Sequence, residues 1–348
     1  MSSLVALLTP AAARIHIGVL ITLRVLSGLG EGVTLPAVFA LIARWSTPQY
    51  HTLVVGLIFI GLNVGLAAGM LLTGVLCDHG FAGGWPSAFY VFGTVGCVWS
   101  IAWFFLCYDS PSTHPRISTT ELEYWERTIG GDDLTGRPPT PWRKILTSVP
   151  VWAMAVALFA NDWGVFTFSI CAPLYMHDVL GFNSTRNGLF SAVPFLPSIL
   201  TRPGYGMLAD WLRSPGRLST TVVRKAFCVV AFTSAASLFV AMGYIGCDRA
   251  LAVATIFAIV ACSDGAYASV AVNQLDLAPL HAGKITGLAH TVAVMSAIVA
   301  PLAVGALTYE RSTREEWQKV FFLAAGVYAV AAVVFLIFGS GERQSWAE

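Results

Sequence analysis

Arg24 and Glu31 stand seven residues apart in an otherwise apolar run, RVLSGLGEGVTLPAVFALIARW, from Arg24 to Trp45. At about 3.6 residues per turn and about 1.5 Å rise, that spacing puts both on one helix face, roughly 10 Å apart. A guanidinium is always charged and grips carboxylates and phosphates through paired donors. A carboxylate in low dielectric can load and release a proton near neutral pH. A charge inside a bilayer costs on the order of 2.5–3.5 kcal/mol on insertion scales, so such groups turn to a polar cavity or to a partner. The pair therefore points to a pathway for an ion or charged solute, or to a static bridge that holds helices together.

Further polar groups fall in or near apolar runs: Asn161 with Asp162 beside it, Arg202, Asp264 and His290. Histidine titrates near physiological pH. Each of these residues could touch a solute or coupling ion, and each could instead pair locally. Asn273 and Asp276 lie in NQLDLAP, where Pro279 ends the helix and a capping or loop-ordering role is expected.

The elements that must position these groups are membrane helices. The chain has 348 residues, 56% hydrophobic and 11% charged, with mean hydropathy +0.70; soluble domains average about 25% charged. Spans need roughly 20 apolar residues. The sequence predicts an all-α bundle with a partial span at 1–13 and nine full ones, at 18–43, 53–76, 87–108, 150–176, 187–211, 225–246, 250–273, 285–308 and 319–339. Small residues at four-residue spacing, Gly28 and Gly32, then Gly61, Gly65 and Gly69, let helix backbones approach.

The longest polar stretch, 109–149, divides the chain and carries a short amphipathic helix, ELEYWERTI. Of the 20 Lys and Arg, twelve fall on the side of this linker, six on the other, and Arg24 and Arg202 in spans. The positive-inside rule makes the linker and C-terminus cytoplasmic. Net charge is +1, which argues against a nucleic-acid partner. The seven cysteines show no CxxC and no ligand spacing with histidine, so they read as small core residues, with no metal site. No P-loop, GxSxG or HExxH is present, which leaves hydrolytic or ATP-driven chemistry without support. Asn183-Ser-Thr185 matches the glycosylation pattern on the non-cytoplasmic side.

Six spans after a long central loop are the layout of the major facilitator superfamily. RVLSGLGEGVTLPA, WPSAFYVFG, NQLDLAPLHAG, REEWQKVF and GERQSWA resemble its organic anion and phosphate cotransporter family, which includes sialin, the vesicular glutamate transporters and the type I sodium/phosphate cotransporters. The resemblance implies that residue 18 opens the fourth of twelve helices. It divides the chain into the remainder of an N-terminal bundle (1–108), a linker (109–149), a C-terminal six-helix bundle (150–340) and a cytoplasmic tail (341–348).

The resemblance also implies roles. Arg24 corresponds to a fourth-helix arginine facing the anion, and Glu31 to the proton-linked glutamate. Asp162, His290 and Asp264 have no clear counterpart in the family; from their own chemistry Asp162 and His290, with Asn161, are candidate substrate contacts, and Asp264 is a second candidate for proton coupling. Gly206, Asp210 and Arg213, in GMLADWLR, resemble the superfamily's loop motif, with Asn273 and Asp276 joined to it in gating. Ser27 stands where sialin-like sequences carry glutamate, and Asn161 where the vesicular glutamate transporters carry arginine. Phosphate or another organic anion is then the expected solute. The function implied is secondary transport of a small anion by alternating access, driven by H+ or Na+, with no cofactor, in a plasma or lysosomal/vesicular membrane. The alternative is a non-transporting fragment or isoform of such a protein.

Overall fold

A chain this apolar can satisfy its backbone in lipid by closing hydrogen bonds within helices. The computed structural model describes residues 1–47, 50–129, 140–167, 175, 197–214, 217–245, 248–309 and 313–347, and among these every regular element is a helix. Helices α1 (Ser2–Ile15), α2 (Ile17–Glu31), α3 (Thr34–Trp45), α4 (His51–His79) and α5 (Trp85–Leu106) come first. The short α6 (Thr119–Ile129) and α7 (Trp142–Leu146) follow, then α8 (Val149–Phe166), α9 (Ser198–Leu212), α10 (Thr220–Tyr244) and α11 (Arg249–Ser263). The last are α12 (Asn273–Leu277), α13 (Ala282–Val294), α14 (Ser296–Thr308) and α15 (Arg314–Phe338).

Seven segments among the described residues are long and apolar enough to cross a membrane, α2 with α3 and α13 with α14 each counting as one. Two of the nine expected spans do not reach that length. The span expected at 187–211 begins outside the described residues, and α9, its described part, has 15 residues. The span expected at 250–273 is regular only to Ser263, where the backbone tightens to a 3-10 turn over Asp264–Ala266 and continues in turns. The expected glycosylation site at Asn183 also lies outside the described residues.

Local chemistry sets the other breaks. Proline lacks an N–H and clashes with the carbonyl four residues back. Pro36 accordingly leaves Gly32 O without its donor, and the helix breaks at Gly32-Val33, directly after Glu31. At Met295, Ser296 Oγ donates back to Ala293 O (2.6 Å), a side-chain competition that bends helices.

The contacts divide into two units, Met1–Trp45 with Ala68–Pro138, and Ser46–Ala67 with Pro139–Glu348. In the first, α1 packs on α2 and α5. Gly93 and Gly96 of α5 admit α1 so closely that an added Cβ would lie 2.8 Å from Leu7 and 2.3 Å from Ser3. The end of α3 receives the chain after α5: Trp45 Nε1 donates to Tyr108 O (3.1 Å), and its ring meets His114 and Trp125 edge-on.

In the second unit α10 packs on α15 and α11, and α8 on α13, α14 and α15. Phe232, Phe239, Tyr328 and Phe335 fill the core between alanines at 157, 160, 235, 324, 331 and 332. Small residues of this kind bring helix backbones together in lipid. The glycine spacing gives a different result from the one expected. An added Cβ at Gly28, Gly61, Gly65 or Gly69 meets nothing within 4 Å among the described residues. In the second unit an added Cβ would crowd Tyr328 at Gly164 and Thr221 at Gly341, and where α4 meets α9 it would lie 3.4 Å from Arg202 O at Gly56 and 3.3 Å from Thr52 O at Gly206.

Candidate functional site

In the first unit α2 carries Arg24 and Glu31 out to exposed positions. They are not bonded to each other. Ser27 Oγ donates to Glu31 Oε1 (2.8 Å), and the Arg24 guanidinium lies over the Phe89 ring, 5.3 Å from its centre. Arg24 lines an open cavity of about 580 Å³ with Thr9 and Ala13 of α1, Leu20, Ile21 and Val25 of α2, and Trp85 and Phe89 of α5. It is the only charge in that lining. The static Arg24–Glu31 bridge is thus absent among the described residues, and the guanidinium is left without a carboxylate.

In the second unit the charges are buried and paired. Arg202 on α9 donates from Nε to Asp264 Oδ1 at 2.7 Å, with the two side chains 4% and 2% exposed. Thr201 Oγ1 lies 2.5 Å from Asp264 Oδ2 and 3.0 Å from Pro197 O. The guanidinium stacks on Tyr267 at 3.8 Å, faces Phe59 at 5.6 Å and reaches Phe59 O at 3.4 Å. Cation–π stacking of this kind holds an arginine without neutralising it. Asp264 can meet Arg202 because the regular helix ends at Ser263.

A small cavity of about 20 Å³ adjoins the pair, lined by Asn161, Gly164 and Val165 of α8, by Arg202, by Val260, Ser263, Asp264 and Tyr267, and by Tyr328. That is room for one water. Asn161 and Asp162 enter from α8; Asn161 is 3% exposed, its Oδ1 has no hydrogen-bond donor among the described residues, and Asp162 lies within electrostatic reach of Arg202. Asn161, Asp162 and Asp264 are therefore brought together, with Arg202. His290, half-buried on α13, lines neither cavity.

The loop-motif residues form a separate network. Gly206 lets α9 lie against the start of α4, so that Asp210 Oδ2 accepts the Leu53 N–H (3.1 Å). A carboxylate at a helix N-terminus satisfies free N–H groups and meets the positive end of the dipole. Arg213 lies 3.6 Å from Asp210 and 3.4 Å from Asp276. Asp276 is also gripped through both oxygens by Arg224 of α10, at 2.7 and 3.4 Å. Arg224 is fully buried, reaches Thr52 Oγ1 (3.1 Å) and Ala268 O, and its own carbonyl accepts from Ser269 Oγ (2.5 Å). Among the described residues the Asn273 side chain makes no hydrogen bond. The terminal segment is tied in by Gly341 N to Thr221 Oγ1 (3.0 Å) and Gln344 N to Leu277 O (2.9 Å).

Sequence reasoning passed over Arg224 as one of the loop cations. The signal was available: Arg224, Cys228, Ala231 and Ala235 fall on one buried stripe of α10, so Arg224 is on the core face. The docking of Thr52 and Leu53 against α9 had no local signal.

Residues 1–275 match the Major Facilitator Superfamily. A putative inorganic phosphate cotransporter of Drosophila ananassae is 38% identical over 99% of this chain and 72% of its own length. Vesicular glutamate transporter 2 of Homo sapiens is 39% identical over 100% of this chain, which spans 60% of that relative. Among solved structures, the proton:xylose symporter XylE superimposes with a TM-score of 0.69 over 98% of this chain and 80% of that one, at 12% identity, a likeness of fold alone. The paired arginines and acids sit on the helices of a fold whose relatives are membrane transporters, and the chain belongs to the organic anion and phosphate cotransporter family of the major facilitator superfamily.

Proposed function

We propose that this protein is a secondary active transporter that moves a small anion across a membrane by alternating access, with H+ or Na+ as the coupling ion. The observation that carries this reading is the Arg24 guanidinium, which lines a cavity of about 580 Å³ and has no carboxylate bonded to it among the described residues. A cation so placed attracts an anionic solute and holds its carboxylate or phosphate through paired donors. Glu31, about two turns along the same helix and hydrogen-bonded to Ser27 among the described residues, is assigned the coupling ion. The relatives named for phosphate and glutamate make these two anions the first candidates. In this reading residues 109–149 and 341–348 are cytoplasmic, the membrane is the plasma membrane or that of a vesicle or lysosome, and the Asp210–Arg213–Asp276 network gates movement without touching the solute.

The test is uptake of phosphate and of glutamate into proteoliposomes holding the chain, with imposed proton or sodium gradients. Saturable, gradient-stimulated uptake of either anion is expected. Absence of saturable uptake of both, from protein that elutes as a folded species, overturns the reading.

A further inference from the structure

The buried cluster of the second unit has more acid than base. Among the described residues Arg202 is its one cation, and Asp264 and Asp162, on different elements, are its two carboxylates. The other titratable groups facing it are the phenols of Tyr205 on α9, Tyr267 after α11 and Tyr328 on α15, with the Cys262 thiol on α11. These are neutral in their ordinary state. One guanidinium and two carboxylates reach zero net charge only when one proton is held between the acids, and buried charge that is not compensated is costly.

Thr201 can serve Asp264 whichever way the hydrogen between them runs. Thr201 has a single hydroxyl hydrogen and two neighbours for it, Asp264 Oδ2 at 2.5 Å and Pro197 O at 3.0 Å. With Asp264 ionised, Thr201 donates to the carboxylate, and Pro197 O is still served by the backbone N–H groups of Leu200 and Thr201 (both 2.9 Å). With Asp264 protonated, the acid donates to Thr201, which turns its hydrogen to Pro197 O. Both states are fully bonded in one geometry. Arg202 is similarly provided for: when Asp264 is neutral, Tyr267, Phe59 and Phe59 O still hold the guanidinium, but nothing neutralises it.

We propose that Arg202 and Asp264 form a proton-gated anion site, at which the Asp264 carboxylate and a bound anion alternate as the partner of one guanidinium. Protonation of Asp264 ends its ion pair with Arg202; a singly charged carboxylate or phosphate then displaces the neutral side chain from beside the guanidinium, and the returning Asp264 carboxylate, once deprotonated, expels the anion. With one proton kept on Asp162 throughout, the cluster is neutral in both states, which fixes one further proton per negative charge carried. With Asp264 in place the adjoining cavity holds no more than a water, so anion and carboxylate exclude each other. Thr201 is a positioning residue for the proton. The inference rests on the anion-transport reading above and goes further by naming the coupling ion as a proton and placing a second site in the second unit.

The experiment uses proteoliposomes of the full chain and inorganic phosphate as the probe, comparing wild type, Asp264→Asn and Thr201→Val. Phosphate exchange at equal pH and accumulation under a proton or sodium gradient are read separately. Wild type is expected to accumulate phosphate under the proton gradient. Asp264→Asn is expected to lose gradient-driven accumulation, which falls to the level without a gradient, and to lose the pH dependence of exchange that wild type shows. Accumulation by Asp264→Asn within twofold of wild type overturns the site and leaves the transport reading standing, as does wild-type accumulation driven by sodium alone. Wild type that neither exchanges nor accumulates phosphate overturns the site in this chain, and glutamate uptake then decides the transport reading by itself. If Asp264→Asn does not fold, Thr201→Val decides: a displacement of at least half a pH unit in the exchange profile supports the site, and an unmoved profile overturns it.

Discussion

Two arginine–acid pairs face opposite circumstances in this molecule. Arg24 and Glu31 are close in sequence, share a helix and are exposed, yet each bonds to something else. Arg202 and Asp264 are 62 positions apart, sit on different elements, and bond at 2.7 Å with almost no exposure. Proximity along a helix thus produced no bridge, while a break in a helix did. The difference teaches where each charge can act. An exposed guanidinium is free for a solute at little structural cost; a buried one is bound to its counterion and becomes available only when that counterion is neutralised.

Mutation can break this contrast, and the largest stability loss belongs to the buried pair. Arg202→Met leaves Asp264 unpartnered and is expected to cost about 3–5 kcal/mol, read by denaturant titration in detergent. Adding Asp264→Leu to it should restore most of that loss, because replacing both charges removes the orphan; a double variant no more stable than the single one contradicts the pairing. Next comes packing. Gly206→Val pushes α9 from the backbone at Thr52, 3.3 Å away, and should cost about 1–3 kcal/mol, whereas Gly28→Ala in the first unit meets nothing and should be neutral or slightly stabilising.

Arg24→Ala should leave the unfolding curve in place and raise the KM for phosphate about tenfold or more, since hydrogen bonds to a charged group contribute about 1.5–3 kcal/mol. Arg24→Lys should recover little of it, as the paired geometry is lost. An unchanged KM in both returns Arg24 to a packing role over Phe89. The smallest structural effect is expected of Glu31→Gln, which keeps the Ser27 hydrogen bond; its exchange should persist while gradient-driven accumulation is lost, and wild-type accumulation would remove Glu31 from coupling.

Much of the architecture was legible because it depends on local composition. The runs that became α4, α5, α10 and α15 are apolar over 22 to 29 residues, and their ends fell within a few positions of those expected. The break beside Glu31 was not expected within the single span at 18–43, although Pro36, four residues past the carbonyl it leaves unpaired, is its cause. The site was legible only in its ingredients. Asp162, Asp264 and Arg202 stood out as charges in apolar surroundings, but their meeting depends on how three separate elements pack. The glycine pattern misled for the same reason: spacing shows which residues share a face, and Gly61, Gly65 and Gly69 do, but only the neighbour decides whether that face is used. Arg224 was hidden by Lys225 beside it, which made one stripe residue look like part of a solvated cluster.

The bonds from the start of α4 have a consequence for biosynthesis. Leu53 waits for Asp210, 157 positions later, and Thr52 for Arg224, 172 positions later. At about 5–20 residues per second, roughly 10–35 s separate the emergence of Thr52 from that of its partner. Through that interval the first N–H groups of α4 have no carboxylate to meet them. A nascent chain held at this stage exposes a helix end that only water, lipid headgroups or an insertion chaperone can serve. Ribosome pausing between residues 53 and 210 should therefore raise the yield of misassembled chains more than pausing after 224.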